Sequence, residues 1–567
     1  MAASSRARPW FADWTGWRIA VWISMPVCWF VQAASYRHVA TPDGINYLDM
    51  AAAFTKGNWG ALVNGYWSPL YPFLLSIWLR LTNPSPYREV ESVLFLNCLL
   101  LMLTLLLFEY FLRCLQEFAE SAPRGSAEEK SVPFGLLKAI GYTLFFWMSL
   151  YLLPPNTMTP DVLVWALVLA TGACLLRIQS GKNSWAAFAA LGVSVGAGYL
   201  AKAFMLPAAF FVFGLSGIYL GRRRQNLPKL LLAAVIVSLM AAPLILSLSK
   251  QKGRFTVGDT GRINYAEFVN GVVYFSHWQG GPPGAGTPLH PTRKLLDAPP
   301  VYEYAFPVGG TYPVGYDVSY WYDGVRPHFE LRGQLSALRK CLDSYFEIFV
   351  ELGAVVAGFL ALLYWMQHFR LFLRNFLALG FLWGPCVAAL FLYALVHVEW
   401  RFLPGFLLLI AMSLFLSLRL PQGNGQLEYV RAVVVGAVVT LSIQIAWGVG
   451  HGGARLATAS AYPEWAIAEA LHRGGVAPGE RIAFIGSMWN QPFWAHLAGV
   501  TFVAEIPAEG TDAFLFASPE IKAHVFHLFK QAGAKAVVTR SLPPEALSNG
   551  WRPLGDTGYH VFLLDGQ

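Results

Sequence analysis

Two carboxylates and two cations stand out in a chain otherwise poor in charge. Asp43 lies in TPDGINYLDM (residues 41–50), just after the first long apolar run, and Asp161 closes PPNTMTPD. Lys202 sits in GYLAKA, and Arg401 follows Glu399 in HVEWRFLP. A carboxylate can take the proton of a hydroxyl nucleophile, while cations neutralise the charge that develops on a phosphate leaving group. Arg does this through a planar fork of donors and Lys as a point charge. A carboxylate held at a membrane surface could thus be catalytic, and a cation at such depth needs a partner or a task. Each also has a plainer reading. Asp43 and Asp161 could cap helices, Lys202 could snorkel to a membrane surface, and Glu399 with Arg401 could be a simple interfacial ion pair.

The elements that must position them are membrane helices. Of 567 residues, 56% are hydrophobic and only 13% charged, which is too apolar for a soluble chain of this length. Apolar runs at 17–35, 90–113, 134–153, 161–177, 185–200, 204–221, 228–248, 345–366, 375–396, 402–419 and 429–449 predict about eleven transmembrane helices. Short alternating strands of the β-barrel kind are not the pattern. The first run is read as a retained helix, since it lacks a small-residue cleavage site. With the N-terminus inside, the loops holding Arg6/Arg8, Arg124/Lys130, Arg177/Lys182, Arg222–Arg224/Lys229, Arg370/Arg374 and Arg419/Arg431 are cytoplasmic and basic. The formal charge of +8 is explained by this topology and does not call for nucleic acid. The six cysteines make neither a metal pair nor a disulfide framework by spacing. The run at 67–81, WSPLYPFLLSIWLRL, is short and opens on prolines, so it is predicted to lie flat in the outer interface.

Two pieces are predicted outside the membrane, beyond the outer segment 36–88 that carries the interfacial helices. Residues 249–344 form a turn-rich loop full of Gly, Pro, Tyr and Trp, whose aromatics suit either stacking on sugars or packing on the membrane. From about residue 455 the pattern becomes EWAIAEALHRGG, RIAFIG, TFVAEI, AKAVVTR and YHVFLLD, a small α/β domain without a Gly-rich phosphate fingerprint. His277, His290 and His328 in the loop are candidate metal ligands but read better as ordinary polar residues. Asp259, Asp317 and Asp323 are further candidates for touching an acceptor.

The order of a long first span, DGINY, interfacial SPLYPFLL, PDVL in a short outer loop, GYLAKA and late EWRFLP resembles the C-type glycosyltransferase (GT-C) superfamily. That superfamily includes protein O-mannosyltransferases and aminoarabinose transferases. The resemblance implies an all-α polytopic membrane protein over residues 1–450, to which 451–567 adds a small α/β extramembrane domain. It further implies an enzyme moving a sugar from a polyprenyl-phosphate donor to a hydroxyl of a lipid, glycan or protein, among membrane lipids, on the outer face. In that frame Asp43 is the general base, Asp161 orients donor or acceptor, and Lys202 and Arg401 hold the phosphate. Tyr47, Tyr71 and Glu399 are substrate contacts. No cofactor is demanded, although some relatives use a divalent cation. A bacterial inner membrane is the expected host, with the C-terminal domain periplasmic. The rival readings are a flippase for lipid-linked glycans, a noncatalytic scaffold, and an oligosaccharide ligase or polymerase acting through the loop residues Arg254, Arg262, Arg293 and Arg326.

Overall fold

The computed structural model describes residues 16–564 except 122–129, 183, 221–223, 274–276, 305–308, 366–368, 421–425, 459–462, 490–491, 541 and 543–549. Arg6, Arg8, Arg124, Arg222 and Arg223 of the basic loops lie outside the described residues. In chain order the helices are α1 (Gly16–Ser35), α2 (Pro42–Thr55), α3 (Leu70–Thr82), α4 (Glu89–Ser121), α5 (Phe134–Tyr151), α6 (Asp161–Gln179), α7 (Trp185–Ala201), α8 (Met205–Leu220), α9 (Leu227–Lys252) and α10 (Thr260–Phe268), followed by those of the second half.

The chain is a polytopic helical membrane protein. Pro86–Ser121, Phe134–Tyr151, Asp161–Gln179, Leu227–Lys252 and Leu427–Ala457 are each long and apolar enough to cross a bilayer. Two bent helix pairs raise the number among the described residues to seven, and α3, α7, α8 and Pro404–Ser417 are shorter apolar helices. α6 is apolar on all faces and nearly every residue is buried, so it runs through the middle of the bundle. Against it lies α7, whose Gly192 lets α9 approach so closely that a Cβ there would meet the Ala233 carbonyl at 2.7 Å. α3 buries Tyr71, Pro72, Leu75 and Ser76 while Phe73, Ile77 and Leu81 face outward, the pattern of a helix lying along an interface.

Two predicted spans need correcting. The run 345–366 straddles a break: Leu331–Glu351 and Gly353–Trp365 meet at 75°. Likewise 375–396 straddles the 83° bend between Phe369–Ala378 and Gly380–Ala394. In both pairs the first helix is charged on one face (Arg339, Lys340, Asp343 and Glu347; Arg370 and Arg374), so it follows a surface, and only the second is apolar throughout.

Outside the bundle, one seven-stranded sheet takes strands from both extramembrane pieces. Its order is Arg293–Asp297, Pro300–Glu303, Thr501–Ile506, Arg481–Ile485, Ala536–Thr539, His560–Leu563 and Arg552–Pro553. The three central strands are parallel, and the hairpin 293–303 from the large outer loop joins antiparallel, pairing Tyr302 with Glu505. The loop is therefore less irregular than its Gly- and Pro-rich composition suggests. Its aromatics pack chiefly on one another: Tyr304, Tyr312, Trp321, Tyr322 and Trp278 are all buried, with Trp278 stacked on Tyr322.

Candidate active site

Local sequence decides where the four charged residues point. α2 is capped by Thr41, whose Oγ1 accepts the Gly44 N–H at 3.3 Å, with Pro42 in the first turn. The capping role first open to Asp43 is thus filled by its neighbour, and the Asp43 carboxylate is released to turn inward. α6 starts at Asp161 itself, behind Pro160, with no side-chain cap, so Asp161 is likewise not spent on its own helix. α7 stops at Ala201, and Lys202 is extended (φ −154°, ψ 121°) before α8 begins. Arg401 occupies the short turn Trp400–Phe402, which Pro404 follows as the start of the next helix.

These segments converge. Arg401 Nη2 donates to Asp43 Oδ2 at 2.8 Å and to Glu399 Oε1 at 3.0 Å, while its Nε donates to Glu399 Oε2 at 2.7 Å and lies 3.6 Å from Asp161 Oδ2. Lys202 Nζ donates to Asp161 Oδ1 at 2.6 Å and sits 3.3 Å from the centre of the Phe402 ring. Thr159 Oγ1 gives Asp161 Oδ2 a further bond at 2.7 Å. Lys202 is thus paired rather than snorkelling, and Glu399–Arg401 is one part of a network. Burial works against ionisation of Glu399, yet the His397 ring, 3.6 Å away, and the Arg401 guanidinium hold its carboxyl down at about 2. Arg401 is pushed well above its ordinary value despite burial, because Asp43, Asp161 and Glu399 surround it.

All five residues line one cavity of about 370 Å³. Asp43 has 26% of its side chain exposed, against 12% for Arg401 and 3% for Asp161, while Glu399 at the rim is 40% exposed. Tyr47, one turn after Asp43, also lines the cavity, with its ring edge-on to Trp67. Tyr71 does not. It is fully buried behind Tyr47, and its hydroxyl donates to Asn97 Oδ1 at 2.9 Å, so its part is to support the wall and not to touch a substrate.

The opposite wall comes from the large outer loop, and sequence reasoning did not single it out. Thr260, Asn264 and Phe268 recur at helical spacing along α10 and face the cavity. Thr260 Oγ1 donates to the Tyr66 carbonyl at 2.7 Å, and the Tyr66 hydroxyl to Asn264 Oδ1 at 2.9 Å, which ties α10 to the segment before α3. The polar period in TGRINYAEF was the available signal. Arg262 reaches the cavity while bonded to Asp323, and its buried Nε has no partner among the described residues.

The other candidates have structural duties. Asp259 and Asp323 are buried among Arg254, Arg262 and Lys252, and Asp317 accepts from Ser319 and the Tyr320 N–H. His277 bridges Thr292 and Glu505, His290 stacks on Tyr320, and the His328 backbone bonds Asn270. Among the described residues no three His, Cys, Asp or Glu side chains converge as a metal-binding set.

No protein-family model matches the chain, and no curated protein matches it. The fold nevertheless has a likeness among solved membrane-protein structures. ArnT from Cupriavidus metallidurans in the apo state aligns over 97% of this chain and 98% of its own, with 14% identity and a TM-score of 0.52. The same ArnT bound to undecaprenyl phosphate aligns over the same shares at 13% identity and a TM-score of 0.42. An oligosaccharyltransferase from Archaeoglobus fulgidus, in complex with Zn and sulfate, aligns over 91% of this chain and 68% of its own, with 12% identity and a TM-score of 0.48.

Proposed function

We infer that this protein is a membrane glycosyltransferase that moves a sugar from a polyprenyl-phosphate donor to an acceptor hydroxyl at the outer face of the membrane. The observation that carries the reading is the meeting of Asp43 with Arg401 and Lys202 in one cavity at the mouth of the helix bundle. A lipid carrier explains why such a site is built between helices; a water-soluble donor would not require it.

In the reaction, Asp43 accepts the proton of the acceptor hydroxyl through Oδ1, which no described residue bonds, while Oδ2 stays on Arg401. The acceptor oxygen attacks the sugar's anomeric carbon, and the bond from that carbon to the phosphate oxygen breaks with its electron pair passing to the phosphate. Arg401 and Lys202 neutralise the anion that leaves. Asp161 holds Lys202 in place and faces Arg401, and Glu399 fixes the Arg401 fork. Attack opposite the leaving phosphate inverts the anomeric centre. A bacterial inner membrane suits the reading, with the basic ends at Arg177/Lys182 and Arg370/Arg374 on the cytoplasmic side.

The test is turnover of a panel of radiolabelled polyprenyl-phosphate sugars by the protein in nanodiscs, beside Asp43→Asn and Asp43→Ala with matched thermal melts. Loss of ~100-fold or more in both folded variants is expected. Wild-type rates in both would remove Asp43 from the chemistry. Carrier translocation without turnover would favour the flippase.

A further inference from the structure

The sequence TPDGINYLDM carries a second aspartate, Asp49, which the mechanism above does not use. It lies on α2 with Asp43 but on another side of the helix, turned away from the cavity and toward the C-terminal domain. Both of its oxygens are occupied. Oδ2 accepts the Thr311 N–H at 2.6 Å, and Oδ1 accepts Thr311 Oγ1 at 3.1 Å and His496 Nδ1 at 3.0 Å. The other ring nitrogen of His496, Nε2, lies 2.7 Å from Oε2 of Glu89, the first residue of α4. Two carboxylate partners need two N–H donors, so the ring is an imidazolium. The three side chains are 9 to 16% exposed.

The rest of α2 is gripped in the same direction. Asn46 is buried against Gly315, where a Cβ would stand 3.1 Å from the Asn46 amide and 3.4 Å from the Trp489 ring. Trp67, which packs on Tyr47, donates its Nε1–H to the Gly315 carbonyl at 2.9 Å. α2 has 14 residues, a length at which a helix has little stability of its own. A buried ion triad is also a poorer glue than apolar packing but a better device for fixing orientation.

We propose that the C-terminal domain is part of the catalytic apparatus: His496, as a positioning residue, clamps α2 to α4 through Asp49 and Glu89 and so holds Asp43 against Arg401. The proposal rests on the reading of Asp43 as the base. It assigns the extramembrane domain a task at the membrane surface, acting through the backbone of one short helix.

The experiment uses the full chain in nanodiscs, with His496→Ala, His496→Gln and a control, Phe529→Ala. Phe529 is buried in the sheet's far core and has no part in the clamp. Turnover per folded molecule and amide hydrogen exchange across Pro42–Thr55 are read together. In His496→Ala, kcat should fall ~10-fold or more with donor KM within about twofold, and α2 should exchange faster. His496→Gln, which keeps one donor group, should fall between. Phe529→Ala should lower the melting temperature and leave both readings as in wild type. Unchanged α2 exchange in His496→Ala, or the same change in Phe529→Ala, overturns the proposal. Should wild type turn over no donor, faster α2 exchange in His496→Ala alone still upholds the clamp while the transferase reading falls.

Discussion

Arg401 and Asp43 stand 358 positions apart in the chain, and the guanidinium of one donates to the carboxylate of the other at 2.8 Å. The fork that makes this bond is also bidentate on Glu399, so a single planar group sets the position of α2 relative to the turn that carries Glu399 and Arg401.

Arg401→Lys should therefore be far from conservative. A lysine supplies charge without the fork, and it cannot hold Glu399 and Asp43 together. Turnover of a polyprenyl-phosphate sugar should drop roughly 10- to 100-fold in a protein that still folds. A rate within twofold of wild type would show that charge alone suffices.

Stability and activity should separate at Lys202. Lys202→Met leaves the buried Asp161 without its closest cation, a change that costs roughly 3–5 kcal/mol. Adding Asp161→Leu removes the orphaned charge and should restore most of the melting temperature without restoring turnover. Recovery of turnover in the double variant would contradict the part given to this pair.

Glu267, on α10 beside the cavity wall, predicts an alkaline limb. Burial, with a smaller push from Asp43, raises its carboxyl to about 8, so below that pH it is a neutral acid. Ionisation above it adds a negative charge near Asp43 and the departing phosphate. Turnover should fall as pH rises through about 8, and Glu267→Gln, which mimics the neutral form, should flatten that limb.

His496 gives a linkage effect on stability. Burial alone would lower its value, but the bonds to Asp49 and Glu89 raise it from 6.5 to about 10. With the folded value above the unfolded one, the clamp's contribution is full below pH 6.5 and is lost as pH climbs to about 10. Thermal melts across that window should decline more steeply for wild type than for His496→Gln.

Much of this was legible in the chain because membrane helices write themselves as long apolar runs, and because a charge beside such a run needs a reason. Asp43, Asp161, Lys202 and Arg401 stood out for that reason. Which of two duties Asp43 performs was not legible, since it turns on whether Thr41 or Asp43 caps α2, a matter of side-chain rotation in one turn. That Tyr71, a substrate contact in the resemblance, lies fully buried against Tyr47 was not legible, since the two sit on different helices, α3 and α2. The breaks at Leu352 and Leu379 were hidden because an amphipathic helix and an apolar one abut without Pro at the junction. The α10 wall stayed invisible because the Gly- and Pro-rich segments around it masked one short helical period.

The hairpin 293–303 lends its strand Pro300–Glu303 to Thr501–Ile506, and this has a bearing on how the chain is made. The hairpin leaves the ribosome long before its partner, so it must wait outside the bundle while the later membrane helices are inserted. The C-terminal piece cut out by itself would meet the opposite difficulty. Thr501–Ile506, apolar along most of its length, would become a bare sheet edge, an invitation to pair with another copy.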